Sequence, residues 1–390
     1  MVGERVCEIQ GWYGSFTLSE RVLQKIWLRQ DFERSGLKTL SGKALEIMDP
    51  GEWNRLGGPD FMAAKFKLNG EEVRGDVEVH FNAGDWMVHQ HELNPAFNAV
   101  VLHVLLYADS VVDVQTLGGS VPETLVLMPL LERDLESIAM DEALLEMERV
   151  NELEWVADFL ELSIAARTQR LTERADARWL QKCHFAAKRL DAHGWAEACH
   201  QLCLEVLGYS RNRAPMAQLA LKYPLPAMRN RSADELYAAT DGWKLSGLRP
   251  ANRPRSRLQQ YLHVLEEAPD WYSGMELALR RLPPISGGDQ TILGRRKARL
   301  AEWCLRAREQ LFGGQLGETR FHTLMVDALL PLAEAAGILQ GRDYWMHWYV
   351  GDAPVALRRF LKLVEVTSRE QPNTNGLTQG ALSLFCSEGG

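Results

Sequence analysis

Between Glu72 and Phe81 polar and apolar residues alternate. Val73, Gly75, Val77, Val79 and Phe81 fall on one face, and Glu72, Arg74, Asp76, Glu78 and His80 on the other. A period of two residues is that of a half-buried β-strand. The run Asp60–Leu68 also reads as a strand, and the Asn69-Gly70 pair between them is a strong hairpin signal. Upstream, Leu18, Val22, Leu23, Ile26 and Trp27 recur at helical spacing, and Thr17-Leu18-Ser19-Glu20 has the form of a capping box, which predicts a helix from about Leu18 to Phe32. Ala44–Met48 is expected to form a short strand ended by the Asp49-Pro50-Gly51 turn, followed by a loop over Glu52–Pro59. Ala99–Tyr107 is a nearly continuous apolar run interrupted only by His103, as in a strand covered on both faces. His89–Phe97 has no clear period, and a further short strand is expected near Val111–Gln115. The expected order is αβββαβ.

From Leu130 the pattern becomes helical. Acidic amphipathic helices are expected to about Arg174, and more helices to about Gly208. The loop Gly208–Arg213 then leads to a helix ending near Lys222. Proline breaks fall at Pro224, Pro226 and Arg249–Arg255. Helical spacing resumes at Arg257–Glu267, Met275–Arg281, Arg295–Leu311 and His322–Ala336. The tail after about Glu370 is polar and Gly-rich and is expected to be partly loose. The division predicted is an α/β domain over 1–130 and a mostly helical domain over 131–390.

Composition narrows the class without naming it. With 46% hydrophobic and 25% charged residues the chain is expected to be an ordinary globular protein. No apolar run approaches the ~20 residues that span a bilayer, and the first thirty residues lack a signal-peptide pattern, so the cytoplasm is the expected location. The six cysteines make no disulfide framework. Cys199-His200-x-x-Cys203 offers metal-ligand types, but the helical pattern around it points to core packing. The net charge of -8 is uneven: residues 131–165 hold eleven acids and two bases, whereas 211–310 hold eighteen bases and ten acids. Arg249, Arg253, Arg255 and Arg257 form the densest basic cluster, with Arg211 and Arg213 as additions. These guanidinium groups suit backbone phosphates of a nucleic acid, and pairing with the acidic helices explains them equally well.

The candidate chemistry lies in the first domain. Asp60 opens one strand of the hairpin and Glu78 lies eighteen residues on, in the next. Two carboxylates converging there can hold a hard divalent cation, Mg²⁺ or Mn²⁺, which stabilises charge on a phosphate and activates water. His80 points to the same face as Glu78 and can act as a base. Asp85, His89 and His91 form a neighbouring polar group in which His89 or His91 can contact a phosphate or leaving group, and so many imidazoles also suit zinc or another transition metal. Glu20 is a candidate extra acid, and His103 reads either as a core histidine or as a site residue. Asp60, Glu78 and His80 can equally be a turn residue and a solvated strand face.

Two resemblances attach to these residues. L-Q-K-I-W (23–27), D-P-G-E-W-N (49–54), G-P-D-F (58–61), G-D-V-E-V-H (75–80), D-W-M-V-H-Q-H (85–91), V-V-L-H-V (100–104), L-G-Y-S-R-N (207–212) and R-P-A-N-R-P-R-S-R (249–257) resemble a bacterial family known only by a domain-of-unknown-function label. Asp60, Glu78 and the strand order are similar to the PD-(D/E)XK nuclease superfamily, with His80 where that pattern has Lys. This second resemblance implies a restriction-endonuclease-like core and a metal-dependent nuclease or DNA-processing protein. The exchange of Lys for His leaves open a module that keeps the fold and binds nucleic acid or protein without cutting. A metal hydrolase of a small substrate is the third reading.

Overall fold

The computed structural model describes residues 20–388 apart from 55–56, 109–113, 132–134, 151–152, 247, 286–289, 352 and 370. The chain divides into two compact units, Met1–Ala139 and Met140–Gly389. The proposed capping box at Thr17–Ser19 lies outside the described residues.

In the first unit, helix α1 (Glu20–Arg29) buries Val22, Leu23, Ile26 and Trp27, the stripe its spacing predicts. It packs against β4 of a mixed six-stranded sheet. The strands are β1 (Leu45–Asp49), β2 (Glu52–Trp53), β3 (Phe61–Leu68), β4 (Glu71–His80), β5 (Val100–Leu105) and β6 (Glu123–Val126). Their order is β1-β3-β4-β5-β6, with β2 paired to β3. β1, β3 and β4 form an antiparallel meander, whereas β4–β5 and β5–β6 are parallel.

Two expectations about the strands are corrected. Glu52–Trp53 pairs with Phe61–Met62 rather than lying in a loop. The last strand is Glu123–Val126, not the neighbourhood of Val111–Gln115; of that segment 111–113 lie outside the described residues and Val114–Gln115 are not strand. Alternation also fails at the end of β4, where Asp76 through His80 are all buried. Asp76 there accepts a hydrogen bond (3.0 Å) from the N–H of Ala63, the positive-φ residue (φ 58°) of a bulge in β3. A buried carboxylate thus fixes the irregular start of β3, next to Asp60.

Between β4 and β5 the connection is a single turn of helix, α2 (Asp85–Val88), followed by two 3₁₀ turns, His91–Leu93 and Pro95–Ala99. Asn94 caps the second, its side chain accepting from Ala96 N at 3.0 Å.

The second unit is helical. Helix α3 (Leu135–Glu148) crosses the boundary, α4 (Glu154–Glu161) follows, and α5 spans Ile164–Lys222. α5 is interrupted at Gly194, Tyr209 and Asn212, where the backbone leaves helical angles, so the turn expected at Gly208–Arg213 is present as a break.

The expected loose tail is instead a helix, α6 (Asn375–Glu388), whose described side chains are buried. Its polar residues have partners inside: Gln379 accepts from Arg178 at 2.7 Å, and Asn375 donates to the Trp345 carbonyl at 3.1 Å. Its glycines admit close neighbours, because a Cβ on Gly380 would sit 2.0 Å from the Leu171 carbonyl oxygen. Polar, Gly-rich composition here marks tight helix packing rather than disorder.

Candidate metal centre

The site is assembled at one end of β3 and β4. Asp60, just before β3, and Glu78, in β4, lock each other through the backbone. The Asp60 N–H donates to Glu78 Oε2 (3.0 Å), and the Val79 N–H donates to Asp60 Oδ2 (3.0 Å). Gln24, one helical turn after Glu20 on α1, donates to Asp60 Oδ1 (2.7 Å). Its own amide is oriented by Trp53, whose indole N–H donates to Gln24 Oε1 (3.1 Å). Trp53 can only donate, so Gln24 must present its NH₂ to Asp60. Both Asp60 oxygens are therefore acceptors.

The other carboxylate oxygen of Glu78 faces imidazoles. Its Oε1 lies 3.3 Å from His80 Nε2 and 3.1 Å from His91 Nε2. His89 Nδ1 is 3.2 Å from His80 Nε2, and His80 Nδ1 is 2.9 Å from His103 Nε2. His91 Nε2 is buried, yet no hydrogen bond is aligned on it. His89 and His91 come together because Gln90 between them adopts the left-handed conformation (φ 59°, ψ 32°). Neither a helix nor an extended strand is needed to bring the two rings to His80.

An aromatic frame holds the rings. Phe97 stacks on His91 with centroids 3.8 Å apart, and Trp86 meets His91 and His103 at 5.4 and 5.2 Å. Trp86 is fully buried and anchored by donation to the Gln115 carbonyl (3.1 Å).

The electrostatics follow from this burial. Desolvation, then the adjacent Glu78 charge, push the Asp60 carboxyl up to about 8, against the Val79 hydrogen bond. Burial acts on Glu78 in the same sense, but contacts with His80 and His91 outweigh it and hold that carboxyl at about 2. Of the two acids Glu78 carries the charge. Desolvation raises Glu20 as well, and its field from His80, Asp85, Glu78 and His91 places it at the edge of the cluster. Burial and the neighbouring His80 lower His103 to about 3, which keeps it neutral.

The structure therefore brings Asp60, Glu78, His80, His89 and His91 together, with Glu20 beside them. It adds Gln24, Trp86 and Phe97, and it sets His103, read from the sequence as either core or site, against His80. Gln24 was readable as a polar residue four positions after Glu20 on the same helix face. Phe97 had no such signal, since its stacking depends on two 3₁₀ turns.

The other candidates lie in the second unit. Arg249, Arg253 and Arg255 are exposed, and Arg255 pairs with Asp234 (2.8 Å) rather than with the acidic helices. Arg257 is buried and cannot serve a phosphate. Its guanidinium donates to Gln260, Tyr209 and Asn252, each at 2.6 Å, and braces the α5 break at Tyr209. Arg213 faces the buried Glu205 (3.5 Å), and the Arg211 side chain lies outside the described residues. Arg257→Ala is expected to cost about 2 kcal/mol by stranding these partners, whereas Arg253→Ala should stay within about 0.5 kcal/mol. Urea unfolding of the two variants makes the comparison.

Cys199, His200 and Cys203 are buried in the helical core, with His200 bonded to the Tyr261 hydroxyl (2.8 Å) and the Tyr223 carbonyl (3.1 Å). Burial lowers the His200 pKa to about 4, against the Tyr223 bond. The folded state thus binds this proton less tightly than the unfolded chain. The stability it contributes is complete above about 6.5 and is lost as the pH falls toward 4, to the extent of about 3 kcal/mol. Urea unfolding at pH 7 and pH 4.5 should show this loss in the wild type and a smaller one in His200→Gln.

The fold and site define a mixed-sheet domain with a buried carboxylate–imidazole cluster, joined to a helical region. The chain belongs to the family described as "Protein of unknown function (DUF2851)", whose profile matches residues 20–240. No curated protein and no solved structure matches it. Among the described residues no helix is long and apolar enough to cross a membrane.

Proposed function

We propose that this protein is a divalent-metal-dependent hydrolase of phosphodiester bonds acting on nucleic acid, with a sheet domain related to the PD-(D/E)XK nucleases. The observation that carries the reading is the lock between Asp60 and Glu78. Two acids from adjacent strands are held against each other with Glu78 Oε1 turned toward His80 and His91. The antiparallel meander followed by parallel β5 supports the same relation.

The residues present fit a cation. Three carboxylates (Glu20, Asp60, Glu78) share a largely buried site with imidazoles, and His91 Nε2 has no aligned hydrogen bond. A divalent cation held through Glu78 would supply Lewis acidity toward a phosphate oxygen. Glu78 binds it, and Asp60 positions Glu78 through its backbone N–H. His80 stands in the place where the nuclease pattern has Lys. His89, the most exposed of the group, and His91 face an incoming phosphate. Arg249, Arg253 and Arg255 are the proposed contacts to the polynucleotide backbone.

The test incubates purified protein with single- and double-stranded DNA and RNA under Mg²⁺, Mn²⁺ or Zn²⁺. Cleavage by the wild type and its loss in Glu78→Gln supports the reading; intact substrates under all conditions overturn it. A second reading, a nucleic-acid-binding module without cleavage, is favoured by one observation: both Asp60 oxygens are already engaged by Gln24 and Val79. Binding without cutting, weakened by Arg249→Ala/Arg253→Ala/Arg255→Ala, selects it.

A further inference from the structure

We propose that the ion bound here is a transition metal of the zinc class, held by His80 Nε2, His89 Nδ1, His91 Nε2 and Glu78 Oε1. It rests on the reading of this cluster as a metal centre and not on the reaction assigned to it.

The distances carry the argument. Zinc bonds to imidazole nitrogen and carboxylate oxygen are ~2.0–2.2 Å, so neighbouring corners of a coordination tetrahedron are roughly 3.3–3.6 Å apart. Here His89 Nδ1 to His80 Nε2 is 3.2 Å, His80 Nε2 to Glu78 Oε1 is 3.3 Å, and His91 Nε2 to Glu78 Oε1 is 3.1 Å. One ligand atom from each of the three histidines lies within 4.8 Å of the others. Lone-pair-bearing atoms this close repel unless protons or a cation lie between them. His91 Nε2 shows the deficit most directly, since it is buried beside a carboxylate with no aligned bond.

The donor types choose the metal. Mg²⁺ demands oxygen ligands and keeps much of its water, whereas imidazole suits Zn, Cu, Fe and Ni. Asp60, the acid an all-oxygen site needs most, has both oxygens committed elsewhere.

The surroundings are those of an oriented ligand set. A metal on His80 Nε2 puts that ring's proton on Nδ1, 2.9 Å from His103 Nε2. The Asp60 N–H fixes Glu78 Oε2, leaving Oε1 for the ion. Phe97 stacking fixes the His91 ring, and the left-handed Gln90 aims His89 and His91 inward. Such outer partners hold first ligands in place and are typically worth about 10–100-fold in metal affinity.

The experiment titrates the chelator-treated full-length protein with Co²⁺ and reads visible d–d absorption, with Zn²⁺ competition giving affinity. The wild type is expected to bind one equivalent with an intense tetrahedral spectrum that a large excess of Mg²⁺ does not displace. His89→Gln and His91→Gln are each expected to weaken binding at least about a hundredfold, whereas His263→Gln, an exposed histidine of the second unit, leaves it unchanged. X-ray absorption of the Zn²⁺-loaded wild type gives the imidazole count even where a variant fails to fold. Three imidazoles support the proposal. A site without imidazole, lost in Asp60→Asn but indifferent to His89 and His91, overturns it, as does a protein that retains no Zn²⁺ or Co²⁺. Metal bound as described but no cleavage overturns the hydrolase reading alone.

Discussion

If the proposed hydrolase activity is present, Glu78→Gln is expected to lower metal-dependent cleavage by about a thousandfold or more, equivalent to about 4 kcal/mol of transition-state stabilisation. The amide keeps the shape of the carboxylate and can still accept the Asp60 N–H, so the fold should survive. What disappears is the charge, and Glu78 is the acid of the pair that carries it. The NH₂ group of Gln would also face His80 or His91, replacing an anion with a donor at the proposed cation site.

A second readout separates lost charge from lost structure. Like-charge repulsion from Glu78 is the second cause, after burial, of the raised Asp60 carboxyl. In chelator-treated Glu78→Gln the Asp60 pKa should fall from about 8 while remaining above its usual value, because burial persists. The sign of the linkage follows. A raised carboxyl binds its proton more tightly when folded, so that contribution is complete below about 3.8 and is lost as pH climbs through 8. The stability of the variant should therefore decline less between pH 5 and pH 8 than that of the wild type. NMR titration and urea unfolding check the two statements, and an unmoved Asp60 titration would show the acids to be uncoupled.

The largest stability effect is expected from Gly75→Ala. A Cβ at Gly75 would lie 2.4 Å from Val101 Cγ1 and 2.7 Å from the Ala99 carbonyl oxygen. The position matters because the parallel β4–β5 pairing shifts register there: Asp76 pairs with Val100 and Val77 with Leu102, so Val101 is the extra residue. Relief requires β5 to move away from β4, which also pulls His103 from its place opposite Glu78. Overpacking usually costs ~1–3 kcal/mol, and contact with backbone puts this case at about 3 kcal/mol or above. Thermal unfolding should show the loss, with partial recovery in Gly75→Ala/Val101→Ala, since the Ala99 carbonyl remains. An unchanged melting temperature in Gly75→Ala would mean the sheet yields at no cost.

The sequence determined a good deal. The hairpin, the helix stripe of α1 and the buried β5 follow from local periodicity and turn chemistry, which act over a few residues and need no partner. The closeness of Asp60 and Glu78 was legible only roughly: the hairpin register carried straight on would set Asp60 opposite Val79, and the bulge between Phe61 and Ala64 shifts it by one residue toward Glu78. The polar C-terminal stretch misled because composition reports what a free segment would do. α6 satisfies Gln379 with Arg178, 201 residues away in sequence, and Asn375 with the Trp345 carbonyl, 30 residues away.

Only the tertiary structure decided the site's chemistry. The run His89-Gln90-His91 specifies neither ring's direction until Gln90 turns left-handed and Phe97 stacks beneath His91. Four arginines in nine residues looked alike until packing buried Arg257 against Tyr209 and left the other three exposed. Strand and helix periods are short-range properties of the chain. Whether a carboxylate meets a lysine, an imidazole or water depends on long-range packing, and that packing set the charge on Asp60 and Glu78.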